Sequence, residues 1–320
     1  MTGSKKSTRS LLLAALAVGV ATAPAGLGAR TLPGELAEKD GAIVLKPLSA
    51  WQLDAGADRC TLARKFSSED GPGLLAYEQF APGSRFDVTM AAPDLASARR
   101  GAWFYGGMRN DWPLITIEPI EFDLPGYGDA ATLAGAALEE EPEDTPSGKP
   151  LAATAIDLNA AEMSDRLVLQ RTTRIVSFET GNMRAPFEAL NACSAELLGD
   201  WGLSPFEDDH YTPAAMPNPR TYFARLNREL LRAKKLSGDG ALVRLRARVE
   251  ADGSVSQCKF ETLAAGQSDI PDICAEISEM QFEPALNKEG EAFPSLFTLS
   301  IRLSPYGAWN SGAHGGRWGG

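Results

Sequence analysis

The stretch Gly240–Leu303 reads GALVRLRARVEADGSVSQCKFETLAAGQSDIPDICAEISEMQFEPALNKEGEAFPSLFTLSIRL. Val243, Leu245, Ala247 and Val249 alternate with Arg244, Arg246, Arg248 and Glu250. That parity predicts a strand with one dry face and one charged face turned to water. Asp252-Gly253 then gives the strongest short hairpin signal, because glycine adopts the positive φ of the turn without strain. On the returning strand Cys258 and Phe260 share a face. Val255 has the opposite parity, which predicts a bulge or twist there. Asp269 and Pro271 look like the start of a helix, with Ile270, Ile273, Cys274, Ile277 and Met280 recurring at helical spacing. Phe297, Leu299, Ile301 and Leu303 alternate as a last strand. Strand, strand, helix, strand is one sheet with a helix on its apolar side.

The chain has four cysteines, which allow three pairings. Cys258 and Cys274 both occupy core-facing positions of this stretch. Closing the loop between them is worth roughly 3 kcal/mol in the loop-entropy picture, which makes them the favoured local pair. Cys60 and Cys193 would then tie the first strand of the upstream region to its last helix.

Upstream, Cys60–Phe66, Leu74–Phe80 and Arg85–Met90 read as short strands between turn clusters. In the third, Phe86, Val88 and Met90 alternate with Arg85, Asp87 and Thr89, as in a half-buried strand. Leu114–Phe122 is another, which Pro119 bends or demotes to an edge. Residues 137–150 are acidic and proline-rich and read as a solvated loop. Strand pattern returns over Arg166–Glu179, and a helix is expected over Ala185–Trp201. The expected fold is therefore α+β: an antiparallel, β-rich domain over residues 42–205 closed by a helix, and a second domain over 220–304. Residues 206–219 form a proline-rich linker between them. The second domain opens with a helix near Arg220–Lys235, whose buried stripe is Tyr222, Phe223, Leu226, Leu230 and Leu231. Residues 305–320, rich in Gly, are expected to be a disordered tail.

The length of 320 residues suits two domains. Lys5, Lys6 and Arg9 precede the apolar run Leu11–Val20, and Ala23, Ala25 and Ala29 offer cleavage positions. Residues 1–29 are therefore expected to be a secretory signal peptide, since the run is shorter than the roughly 20 residues that span a bilayer. Its removal takes the net charge from −11 to −14. So acidic a chain repels phosphate backbones and argues against nucleic acid as a partner. An exported chain with four cysteines is expected to carry two disulfides in a periplasmic or extracellular space.

Residues of about 213–304 resemble the C-terminal domain of the TonB family of energy transducers. The matching features are Asp252-Gly253-Ser254-Val255 at a strand end, the helix after it, Phe282-Glu283-Pro284-Ala285, the Glu289-Gly290-Glu291 turn and the closing strand. The resemblance implies a periplasmic β-β-α-β domain. In the family it docks on an outer-membrane transporter by accepting an extended peptide along a sheet edge, which needs no catalytic side chain. Two features depart from the family. The N-terminus has no His and only a short apolar run, and Pro205–Pro219 is too short for a spacer across the periplasm.

No cofactor, metal or catalytic group is expected. Gly126-Tyr127-Gly128-Asp129-Ala130-Ala131 matches G-x-G-x-x-A, but its antiparallel, proline-broken context reads as a glycine turn. Glu207, Asp208, Asp209 and His210 read as a solvated charge run, because consecutive residues cannot all converge on one ion. His314 lies in the tail, so a Ser-His or Cys-His pair has no candidate. The function read from the sequence is non-catalytic peptide binding by a periplasmic protein, with an envelope protein such as an outer-membrane transporter as partner. One alternative is an exported enzyme or ligand-binding domain in residues 42–205, with Asp111 and Glu118 beside Trp103, Phe104, Tyr105 and Trp112. In that case the C-terminal domain is an adaptor. The other is a membrane-anchored transducer whose N-terminus stays attached.

Overall fold

The computed structural model describes residues 32–37, 39, 41–93, 95, 104–109, 111, 115–117, 119–138, 152–171, 173–204, 206, 209–236, 241–263, 270–304 and 307–310. All belong to one compact unit, Thr31–Gly320. The expected signal peptide, most of the acidic loop, Trp103, Trp112, Glu118, Glu207, Asp208 and His314 lie outside the described residues. No helix among the described residues is long and apolar enough to cross a membrane.

The fold is mixed α+β and mostly β. The first part runs α1 (Pro33–Ala37), β1 (Ile43–Pro47), β2 (Gln52–Ala55), β3 (Cys60–Ser68), β4 (Gly71–Gln79), β5 (Arg85–Ala91), β6 (Phe104–Arg109), β7 (Ile115–Ile117), β8 (Ile120–Leu124) and β9 (Gly128–Ala137). Then come β10 (Ala152–Ala153), α2 (Leu158–Glu162), β11 (Ser164–Arg171), β12 (Arg174–Glu179), α3 (Arg184–Asp200) and β13 (His210–Tyr211). The last part is α4 (Pro219–Arg232), β14 (Ala241–Val249), β15 (Val255–Leu263), α5 (Cys274–Ser278), β16 (Ala285–Leu286), β17 (Ala292–Phe293), β18 (Ser295–Ser304) and β19 (Gly307–Asn310).

The large sheet has the order β7-β6-β11-β12-β1-β3-β4-β5-β9-β8, with β2 beside β3. Its pairings are antiparallel except β1 with β12. The path starts at β7 and ends at β8, which only Glu118 and Pro119 separate in sequence. Three residues of extended chain reach about 11 Å at most, so the sheet curls until its two ends nearly meet. Pro119 has no N–H for a ladder, and here the expected run Leu114–Phe122 breaks into two edge strands. A buried ion pair crosses the seam, Arg171 Nη1 of β11 lying 2.6 Å from Glu121 Oε1 of β8.

The concave side is filled by aromatic rings. Tyr77 meets Phe86 and Phe187 at centroid distances of 5.5 and 5.1 Å, and Phe66 meets Phe178 at 5.3 Å. Phe187, Leu190, Cys193 and Leu197 form the buried stripe of α3, which closes this core. Cys60 and Cys193 form a disulfide between β3 and α3.

The structure adds detail to two parts of this region. Arg166–Glu179 belongs to two strands, β11 and β12, paired as a hairpin whose innermost pair is Arg171 with Arg174. The Ala-rich run after Gly128 is the buried strand β9 between β5 and β8, where neighbouring strands override the helical preference of alanine.

The second sheet has the order β15-β14-β18-β19. Gly253 takes φ +84°, and the register shifts between Arg248 and Val249, where Ser256, next to Val255, is the extra residue of a bulge. Cys258 and Cys274 form the second disulfide. The helix expected from Asp269 to Met280 covers only Cys274–Ser278. Asp272 Oδ1 caps the Cys274 N–H at 2.8 Å, so helix begins only there. It ends because Phe282 N–H donates to the Gly253 carbonyl at 2.9 Å, pulling the chain straight.

The proline-rich stretch is not a solvated linker. Tyr211, Ala214 and Met216 are buried in the second core, and Ala215 and Glu283 exchange backbone hydrogen bonds of 2.9 Å. Gly307–Asn310, expected to be disordered, forms β19 along β18.

Candidate functional site

The charged face of β14 was expected to meet water. It is buried: Arg244 is 4 % exposed and Arg246 5 %. That face packs on the large sheet. Along it, Leu242 clusters with Ile120 and Ala134, Arg244 and Arg246 follow, and Arg248 Nη1 donates to the Trp201 carbonyl at 2.6 Å. Leu296 of β18 packs with Leu198 and Trp201. Apolar contacts therefore bracket a charged middle. There the surfaces part around a cleft of about 360 Å³. Residues of β4, β5 and the 80–84 loop line one side, and residues of β14, β15 and β18 the other.

Arg244 is fully committed. Its Nε donates to Asp87 Oδ2 at 2.7 Å, Nη2 to Glu78 Oε2 at 3.2 Å and Nη1 to Glu261 Oε1 at 3.3 Å. Its guanidinium lies 3.8 Å from the Phe80 ring centroid. Asp87, expected on a water-facing position of β5, is 5 % exposed, and its Oδ1 accepts the Gly135 N–H at 2.7 Å. Burial works to lower the Arg244 pKa, and the carboxylates of Asp87, Glu78 and Glu261 more than reverse it. Desolvating four charges is costly, and their mutual hydrogen bonds offset that cost only while the set is complete.

Arg246, two positions on, has a different environment. Its Nε and Nη1 are buried and have no hydrogen-bond partner among the described residues. Its guanidinium lies 5.0 Å from the Trp201 ring and 6.0 Å from Phe80. Burial pushes its pKa down, against a weaker upward pull from Asp58 and Glu261. The nearby Asp58 forms an ion pair with Lys259.

A second surface of interest is the edge of β15. Among the described residues no strand pairs with its outer side, whereas the outer side of β18 is taken by β19. β15 is nine residues long, with Ser256, Gln257 and Lys259 exposed.

The other sequence-derived candidates separate. Asp111 is exposed and held by Arg109, whose Nε and Nη2 donate at 2.9 and 2.6 Å, so it does not line the cleft. The side-chain hydrogen bonds from Arg109 hold its carboxyl below the usual range. Gly126 and Gly128, with φ of +86° and +78°, make the turn between β8 and β9. His210 pairs through its backbone with Ala153 in β13 and β10. Among the described residues no group of His, Cys, Asp or Glu is placed to hold a metal. The motif Phe282-Glu283-Pro284-Ala285 is structural. Phe282 and Ala285 are buried, and a side chain in place of Gly253 would run into the Phe282 carbonyl.

Sequence reading missed Glu78, Phe80, Asp87, Arg244 and Arg246 as a site. One signal was available: three arginines on one face of a single strand with too few acidic neighbours to match them locally. Compared with known proteins, the chain matches no family model, no curated protein and no solved structure.

Proposed function

We propose that this is an exported, non-catalytic interaction protein that binds an extended peptide segment along β15. The observation that carries the reading is the unpaired outer side of that nine-residue strand. An open strand edge offers a row of backbone donors and acceptors to a peptide, which is the basis of strand addition. The resemblance of residues of about 213–304 to the TonB-family domain supports the same mode, with Ala241–Ser304 as its β-β-α-β unit. The partner is then a segment of an envelope protein, with outer-membrane transporters as the family precedent. Two disulfides support an oxidising compartment, here the periplasm reached through a cleaved leader.

Hydrogen exchange on the full chain tests this. Synthetic extended peptides, taken from periplasm-facing segments of outer-membrane transporters, are expected to slow exchange along Val255–Leu263 and leave β18 unchanged. If no peptide of the set alters exchange on β15, strand addition there is wrong.

A further inference from the structure

We propose that the cleft between the two sheets binds a small organic monocarboxylate, with Arg246 as the receptor for its carboxylate. The proposal is independent of strand addition at β15 and rests on how charge is distributed inside the cleft. Arg246 lines the cleft and is 5 % exposed. Its Nε and Nη1 are buried at the cleft wall without a protein partner, so a carboxylate that seats against the guanidinium would complete hydrogen bonds the protein leaves unmade. The other cations of the cleft wall are engaged. Arg244 is held by Asp87, Glu78 and Glu261, Lys259 by Asp58, and Arg85 donates to the Gly135 carbonyl at 2.9 Å.

A buried guanidinium with unmade hydrogen bonds costs several kcal/mol in general, and a carboxylate that completes them recovers that cost. The Trp201 ring, 5.0 Å from the guanidinium, gives it a cation–π contact that uses none of its N–H groups.

The walls select the kind of anion. Asp58, Glu78, Asp87 and Glu261 line the same cleft, so a doubly charged phosphate meets more repulsion than a single carboxylate does. Phe80, Ala81, Pro82 and Leu296 also line it and offer contact to an apolar body. A volume of about 360 Å³ matches a small ligand, since sites for small molecules run from roughly 300 to 1,000 Å³.

Calorimetric titration of the full, oxidised chain tests the proposal, with benzoate and hexanoate as probes, benzamide and hexanamide as neutral isosteres, and inorganic phosphate as the polyanion. A carboxylate is expected to bind at least about tenfold more tightly than its amide, the ratio that one charge-assisted hydrogen bond supplies. Phosphate is expected to give no heat. Arg246→Met is expected to abolish carboxylate binding while its thermal unfolding temperature stays at or above that of the parent, and Arg246→Lys to retain a weakened response. Three results overturn the proposal: acid and amide binding alike or not at all, phosphate binding as tightly as benzoate, or Arg246→Met binding as the parent does. Should Arg246→Met fail to fold, Arg246→Gln gives the same comparison with a polar side chain.

Discussion

Arg244 and Arg246 occupy the same face of the same strand, two positions apart, and both are almost wholly buried. One is held by three carboxylates and an aromatic face, and the other touches aromatic rings and has unmade hydrogen bonds. The difference separates two uses of a buried charge. A complete ionic set holds two sheets in register, because removing any member leaves its partners desolvated and alone. An incomplete one stores unmet hydrogen-bonding capacity that a ligand can use.

The sharpest way to break this comparison is Arg244→Met. It leaves Asp87 buried without its cation and is expected to cost about 3 to 5 kcal/mol in urea unfolding. Adding Asp87→Leu is expected to restore most of that loss. If the single variant is neutral, the network is not what joins the sheets. Glu121→Leu extends the comparison to the seam. Its partner Arg171 is equally buried, so a loss of about 3 kcal/mol is expected on the same measurement. Arg246→Met is predicted to act in the opposite direction, raising stability by about 1 kcal/mol, because it replaces an unpaired buried cation with an apolar side chain of similar length. A loss as large as that of Arg244→Met would mean that the two arginines do the same work. The smallest effect concerns Phe80, which faces both guanidiniums. In double-mutant cycles Phe80→Leu is expected to couple to Arg244→Met by about 1 kcal/mol and to Arg246→Met by much less, since the second guanidinium stands at the limit of useful distance.

Much of the local architecture was legible. The alternation of Val243 to Val249, the Asp252-Gly253 turn, the bulge next to Val255 and the buried stripes of α3 and α4 all follow from short-range rules, and the structure contains each. The Cys258–Cys274 bridge could be favoured because both cysteines fell on core-facing positions, and Cys60–Cys193 was then the pair left over. What could not be read is what lies above a polar face. Periodicity records that Arg244 and Asp87 sit opposite the apolar positions of their strands, and water is the ordinary neighbour of such positions. Here the neighbour is another sheet, and the match between an arginine face and Glu78 with Asp87 joins residues more than 150 positions apart. The Ala130–Ala136 strand and the end of the β11–β12 hairpin were lost for a related reason. Alanine by itself favours helix, so only pairing with neighbouring strands decides that its run is extended. The tail strand Gly307–Asn310 has even less local signal and takes its order from the edge of β18.

The seam at Pro119 also bears on the covalent connectivity of the molecule. Cys60 lies before it in the chain and Cys193 after it, so their disulfide spans the break between β7 and β8. A protease that cut the backbone between Ile117 and Ile120 would leave one covalent molecule, its two pieces fastened by that bond and interleaved within a single sheet. Only a reductant would then give the pieces separate masses. A nick at this position would be invisible to gel filtration and to non-reducing electrophoresis alike.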